Sequence, residues 1–172
     1  MLEEQLIYYP VQWDEEYKNT GFIELWREKY PQLFEDHQGS KNLGTLDLFA
    51  QYALMYLLRE TKGINSITWY KLANISKKSI NRERTLKYWQ IMKEHIGEKN
   101  FNTLQQSLLD NGFTGFTGEP DLFCWHSQSD DWFFAEAKGN DKLLKSQLRW
   151  FEICEKALKK TGIIHVYRLV PK

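Results

Sequence analysis

Asp121, Glu136 and Lys138 are the residues of this 172-residue chain whose types and spacing best suit chemistry. They lie in the stretch from Gly118 to Lys138, GEPDLFCWHSQSDDWFFAEAK. Two apolar runs, Leu122 to Trp125 and Trp132 to Ala137, flank the cluster Ser127-Gln128-Ser129-Asp130-Asp131, so the stretch predicts a β-hairpin. Side chains alternate across a strand, which puts Glu136 and Lys138 on one face and Ala135 and Ala137 on the other. Asp121, at the mouth of the first strand, can converge on them. Two carboxylates and the main-chain carbonyl of Ala137 suit a hard cation such as Mg²⁺ that keeps several of its waters. Such an ion lowers the pKa of a bound water and neutralises a phosphate, while a lysine beside it orients the nucleophile or stabilises developing negative charge. These are the requirements of phosphodiester cleavage.

A Glu-x-Lys on a strand describes a solvated surface pair more often than a site. Three further features set this one apart. Pro120 holds the chain extended before the first strand, and Gly118 permits a tight approach there. Trp125, Trp132, Phe133 and Phe134 suit a hairpin packed on both faces, and charges in so apolar a surround need a partner or a metal. The third feature is the helix after Lys138, expected to be capped by Asp141, to run to about Lys160 and to bury Leu144, Leu148, Phe151, Cys154 or Glu155, and Leu158. Lys142, Lys145 and Arg149 share one side near its start.

With these residues in place, the stretch resembles the PD-(D/E)xK nuclease superfamily. Within it the likeness is to the VRR-NUC domain, the virus-type replication and repair nuclease, and most of all to the nuclease domain of the Fanconi-associated nucleases. Gly118, Pro120, Asp121, Leu122, Trp125, Ser127, Gln128, Ser129, Glu136, Lys138, Gly139, Asn140, Asp141, Lys142, Leu143 and Gln147 stand in the family's order. The match spans about 118–150. It implies a restriction-endonuclease-like α/β core and a Mg²⁺- or Mn²⁺-dependent deoxyribonuclease. Asp121, Glu136, Lys138 and Gln147 would be catalytic, and Asp121, Glu136 and the Ala137 carbonyl would hold metal. It also implies DNA, including branched or flapped forms, as the partner.

The family carries one further carboxylate on or just before its first core helix, in a Glu-Gly-Ser block. Here the comparable block is Gln38-Gly39-Ser40, with Glu35 and Asp36 upstream and Asp47 following. Either Gln38 replaces the acid as a neutral ligand or the register slips and Glu35 serves; Glu35 is the favoured metal ligand. A missing acid also permits a second class of function, a catalytically silent nuclease-fold module that binds nucleic acid or a protein.

The elements that must position these residues follow from the rest of the chain. Its length suits one domain with a proper core. Residues 1–34 form an acidic arm, in which Phe22, Ile23, Leu25, Trp26 and Tyr30 predict a helix ending near Pro31. Residues 35–172 then form the nuclease-like domain. Leu43 to about Glu60 is the strongest apolar helix, with Gly63 placed to end it, and Ile64 to Leu72 reads as a strand. Residues 71–111 are a basic helical insertion with helices around Leu86 to Ile96 and Phe101 to Leu109. Lys77, Lys78, Arg82 and Arg84, with Lys142, Lys145 and Arg149, are the expected nucleic-acid contacts. Ile163 to Val170 is the last strand, and the whole is α/β.

The chain carries 23 basic and 23 acidic residues, so any basic face must come from uneven distribution. Cys124 and Cys154 read as buried, unpaired thiols of a reducing compartment rather than zinc ligands. No signal sequence or long apolar run appears, which predicts a cytoplasmic, nucleoid or nuclear protein that is neither secreted nor membrane-bound. A homodimer is compatible with the sequence. The scattered histidines suit core or loop positions, and nothing resembles a Walker loop or a Ser-His-Asp order.

Overall fold

A computed structural model describes residues 2–18, 28, 31, 49–73, 82–115 and 117–172. Five strands form one mixed sheet: β1 (Glu4–Tyr9), β2 (Ile64–Thr68), β3 (Leu122–His126), β4 (Trp132–Lys138) and β5 (Ile164–Pro171), in the order β1-β5-β4-β3-β2. The predicted hairpin is β3–β4, paired antiparallel from Trp125–Trp132 to Leu122–Ala135. β2 extends it antiparallel, with Thr68 opposite Leu122. Beyond β4 the direction changes, and β5 and β1 add in parallel. A parallel neighbour requires a crossover, here the helix Lys145–Leu158.

Described helices cover both faces. These are α1 (Gln12–Lys18), α2 (Phe49–Lys62), α3 (Arg82–Ile96), α4 (Glu98–Asp110) and α5 (Lys145–Leu158). The strand alternation sorts side chains between two cores. Leu122, Cys124, Ala135 and Tyr167 face α2, which buries Ala53, Leu54, Leu57 and Leu58. Phe123, Phe134 and Val166 face the other way, against Met92 of α3, Leu104 and Leu108 of α4, and Trp150, Phe151 and Cys154 of α5. α2 is thus the expected core helix from Phe49 onward. It stops at Gly63, whose left-handed φ of 61° lets its N–H bond to the Arg59 carbonyl. Both cysteines are free and buried.

Four expectations need correction or lie elsewhere. The strand after α2 ends at Thr68, not Leu72, because Trp69 and Lys71 take positive φ and turn the chain. Asp141 does not cap α5. The helix begins at Lys145 with Leu144 before it, and Asp141 points back toward Lys138. Leu144 and Leu148 are 61% and 45% exposed, since Trp150 and Phe151 occupy the buried side. β1 is a sheet strand that the acidic composition of the arm conceals, and the helix expected between Phe22 and Pro31 falls largely outside the described residues. No helix among the described residues is long and apolar enough to cross a membrane.

Candidate active site

The site exists because β4 outruns β3. The β3–β4 ladder ends at Leu122–Ala135, while β4 continues through Glu136, Ala137 and Lys138 with β5 still paired to it. Ala137 therefore turns its main-chain groups toward the space beyond the start of β3, where N–H and carbonyl point to the same side. Asp121 fills the end of that space, and the Ala137 N–H donates to its Oδ2 at 2.9 Å. This bond holds the Asp121 carboxylate beside the Ala137 carbonyl.

Glu136 and Lys138 lie on the α5 face as the period-two argument requires, and they are 2% and 4% exposed. Lys138 Nζ reaches Glu136 Oε1 at 3.0 Å and Asp141 Oδ2 at 2.8 Å. Gln147, in the first turn of α5, donates its Nε2 to the same Glu136 Oε1 and accepts the Leu144 N–H at 2.9 Å on its Oε1. Glu136 Oε2 is buried and has no hydrogen-bond partner. An ionised oxygen in that condition is costly, and a cation would satisfy it.

The electrostatics agree with that geometry. Burial pushes the Asp121 carboxyl up to about 8, and the Glu136 charge adds to the effect. Burial also raises Glu136 above the usual glutamate range, against the pull of Lys138. The Asp121 main-chain N–H pulls the same way as Lys138, although it forms no hydrogen bond of normal geometry with Glu136. For Lys138, burial works to lower the ammonium pKa, but Asp141 and Glu136 outweigh it and hold it above the usual value. A carboxyl raised by burial and by its neighbour's charge, beside an unpartnered buried oxygen, makes this pair a candidate for holding a cation. Their hard oxygens fit Mg²⁺ or Mn²⁺.

The supporting contacts are specific. Gly118 has φ 77°, and a Cβ there would lie 2.5 Å from the Ser146 carbonyl oxygen, so glycine lets the segment before Asp121 press on the first turn of α5. Thr68 Oγ1 donates to the Asp121 carbonyl at 2.9 Å and is itself bonded by Gln51 of α2. Arg168 of β5 grips Glu4 with two bonds of 2.6 and 2.8 Å and donates Nη1 to the carbonyls of Gly139 and Asp141. That grip fixes the segment from which Asp141 meets Lys138.

Asp121, Glu136, Ala137, Lys138 and Gln147 thus come together. Lys142 and Lys145 are exposed on the segment leading from Lys138 into α5. Arg149 is exposed too, but it donates to the Asn111 carbonyl at 2.8 Å and lies 5.5 Å from the centre of the Phe113 ring. Arg84 is half-buried in the first turn of α3. Glu35, Gln38, Asp47, Lys77, Lys78 and the Arg82 side chain lie outside the described residues. Among the described residues no group of three or more His, Cys, Asp or Glu is placed to hold a metal, so the described donor set is the Asp121–Glu136 pair. The sequence reading missed Asp141 as the partner of Lys138, although a three-residue spacing hinted at it, and missed Arg168 altogether. No protein-family model, curated protein or solved structure matches the chain.

Proposed function

We propose that the protein is a Mg²⁺- or Mn²⁺-dependent nuclease that hydrolyses phosphodiester bonds in DNA. The observation that carries this reading is the buried, unpartnered Oε2 of Glu136 beside Asp121, with Lys138 on the other oxygen of the same carboxylate. Asp121, Glu136 and the Ala137 carbonyl would hold the ion, which supplies Lewis-acid stabilisation of phosphate charge and a water of lowered pKa. Gln147 and Lys138 fix Glu136 Oε1, so its remaining oxygen keeps one direction. Lys138 presents its ammonium where a phosphate oxygen would gain negative charge, and Asp141 keeps that group from collapsing wholly onto Glu136. Water attacks phosphorus, the phosphorus–oxygen bond to the leaving nucleotide breaks, and the leaving oxygen takes up a proton.

The order helix, three antiparallel strands, helix, parallel strand supports a restriction-endonuclease-like reading of the core. α3 and α4, between β2 and β3, are read as the basic insertion. The test is incubation with linear, flapped and branched DNAs in Mg²⁺ or Mn²⁺, with EDTA as control. Metal-dependent cleavage of any of them supports the reading. Binding without cleavage in either metal overturns it in favour of a silent nuclease-fold module.

A further inference from the structure

The β2–β3 ladder ends at Thr68–Leu122, yet the chain after β2 goes on holding the residues that lead into β3. Thr68 Oγ1 donates to the Asp121 carbonyl at 2.9 Å, and the Tyr70 hydroxyl donates to the Pro120 carbonyl at 2.7 Å. The N–H groups of Lys71 and Leu72 donate to the two carboxylate oxygens of Glu119 at 3.0 and 2.7 Å. Residues 119, 120 and 121 are thus each bound from the 68–72 segment, and each bond uses one side chain. A ladder pairs main chain with main chain whatever the residues, whereas this tie depends on which residues stand there. The positive φ of Trp69 and Lys71 accounts for the change. The chain turns out of β geometry, and Thr68 and Tyr70 reach back to carbonyls that need donors in a buried place.

The donors are themselves fixed. Thr68 and Tyr70 are buried. Gln51 of α2, also buried, donates its Nε2 to Thr68 Oγ1, which leaves the hydroxyl proton for the Asp121 carbonyl. Trp89 Nε1 donates to the Tyr70 carbonyl at 2.8 Å and Gln105 Nε2 to the Leu72 carbonyl at 2.8 Å, so α3 and α4 anchor the segment. Burial first, then the charges of Glu119, Cys154, Asp121 and Glu136, push the Tyr70 hydroxyl well above its usual range, and it stays a donor. Asp121 is therefore held at both ends, its carbonyl by Thr68 from the β2 side and its carboxylate by the Ala137 N–H from the β4 side. Where the carboxylate stands relative to Glu136 depends on both grips.

We propose that Thr68, oriented by Gln51, and Tyr70 are positioning residues of the candidate site, which set the place of the Asp121 carboxylate beside Glu136 by holding the Asp121 and Pro120 carbonyls. This role rests on the nuclease reading for its purpose. Mn²⁺ binding by electron paramagnetic resonance, DNA cleavage kinetics and melting temperature test it in wild type, Thr68→Val, Thr68→Ser, Tyr70→Phe and Gln51→Leu. Thr68→Val and Tyr70→Phe should each raise the Mn²⁺ midpoint about fivefold and lower kcat about tenfold with the KM for DNA unchanged, because displacing a reacting group by about 1 Å costs up to about a hundredfold. Gln51→Leu should move both in the same direction by less. Thr68→Ser keeps the hydroxyl and loses a buried methyl, so it should melt lower yet bind Mn²⁺ and turn over like wild type. A merely structural role would make function follow the melting temperature, so Thr68→Ser behaving like Thr68→Val overturns the role. Should Thr68→Val not fold, Tyr70→Phe and Gln51→Leu decide. Folded variants with the midpoint and kcat of a wild type that cleaves overturn the role and keep the nuclease reading. Midpoints that shift in a chain that never cleaves keep the role and sink the nuclease reading. A wild type that binds no Mn²⁺ overturns both.

Discussion

Asp121→Asn should make the metal-free protein more stable while destroying the proposed metal site. Asparagine keeps an oxygen to accept the Ala137 N–H and removes the charge that burial and Glu136 oppose. A carboxyl whose pKa rises from the ordinary aspartate value to about 8 on folding favours the fold when protonated. That contribution is complete below the unfolded value and is lost as pH rises toward the folded one. Between the unfolded value and pH 7 lie about three pH units, each worth about 1.4 kcal/mol, so the wild type loses at most about 4 kcal/mol over this range. The variant should escape most of that loss. Urea unfolding in EDTA at pH 5, 7 and 9 reads it directly: the curves should already differ by roughly 1.5 kcal/mol at pH 5 and separate further at pH 7 and 9, with Asp121→Asn the more stable. Added Mn²⁺ should then stabilise the wild type by mass action and leave the variant unmoved. A variant less stable than wild type at pH 9 without metal would refute the claim that these two carboxylates oppose one another in the absence of a cation.

Glu136→Ala and Lys138→Ala should each abolish turnover. Lys138→Ala should also cost the metal-free fold about 3 kcal/mol in urea, because it strips a buried carboxylate of its cation. Arg168→Ala releases the Gly139 and Asp141 carbonyls and should lower cleavage about tenfold with a stability loss of about 1–2 kcal/mol; unchanged turnover would show that the 139–141 segment needs no such anchor. Lys142→Ala and Lys145→Ala should each shallow the salt slope of duplex binding by about 0.9 with little change in stability. Arg149→Ala should instead show a lowered melting temperature, since its guanidinium bonds Asn111 and covers Phe113.

Much of the site is legible in the chain because it depends on short-range rules. Period-two alternation puts Glu136 and Lys138 on one face, and two apolar runs around a polar cluster give the hairpin. Gly118 is legible as a close approach, and the structure finds the Ser146 carbonyl against it. What escapes depends on where elements stop. Asp141 resembles a helix cap until the helix starts at Lys145, four residues later, and leaves the carboxylate to Lys138. Leu144 and Leu148 fit an apolar stripe, yet α5 rotates to bury Trp150 against Phe134. β1 hides because Leu6 and Tyr8 are exposed while only Ile7 and Tyr9 face the core. Arg168 cannot be linked to Glu4 across 164 residues without the parallel pairing of β1 and β5.

The most direct measurement follows DNA cleavage and Mn²⁺ binding in the same titration, for wild type and Glu136→Gln. The account predicts that wild-type cleavage rises with the same Mn²⁺ midpoint as binding observed by electron paramagnetic resonance, and that Glu136→Gln loses both. Cleavage that persists in EDTA, or that survives Glu136→Gln at the wild-type rate, would contradict it.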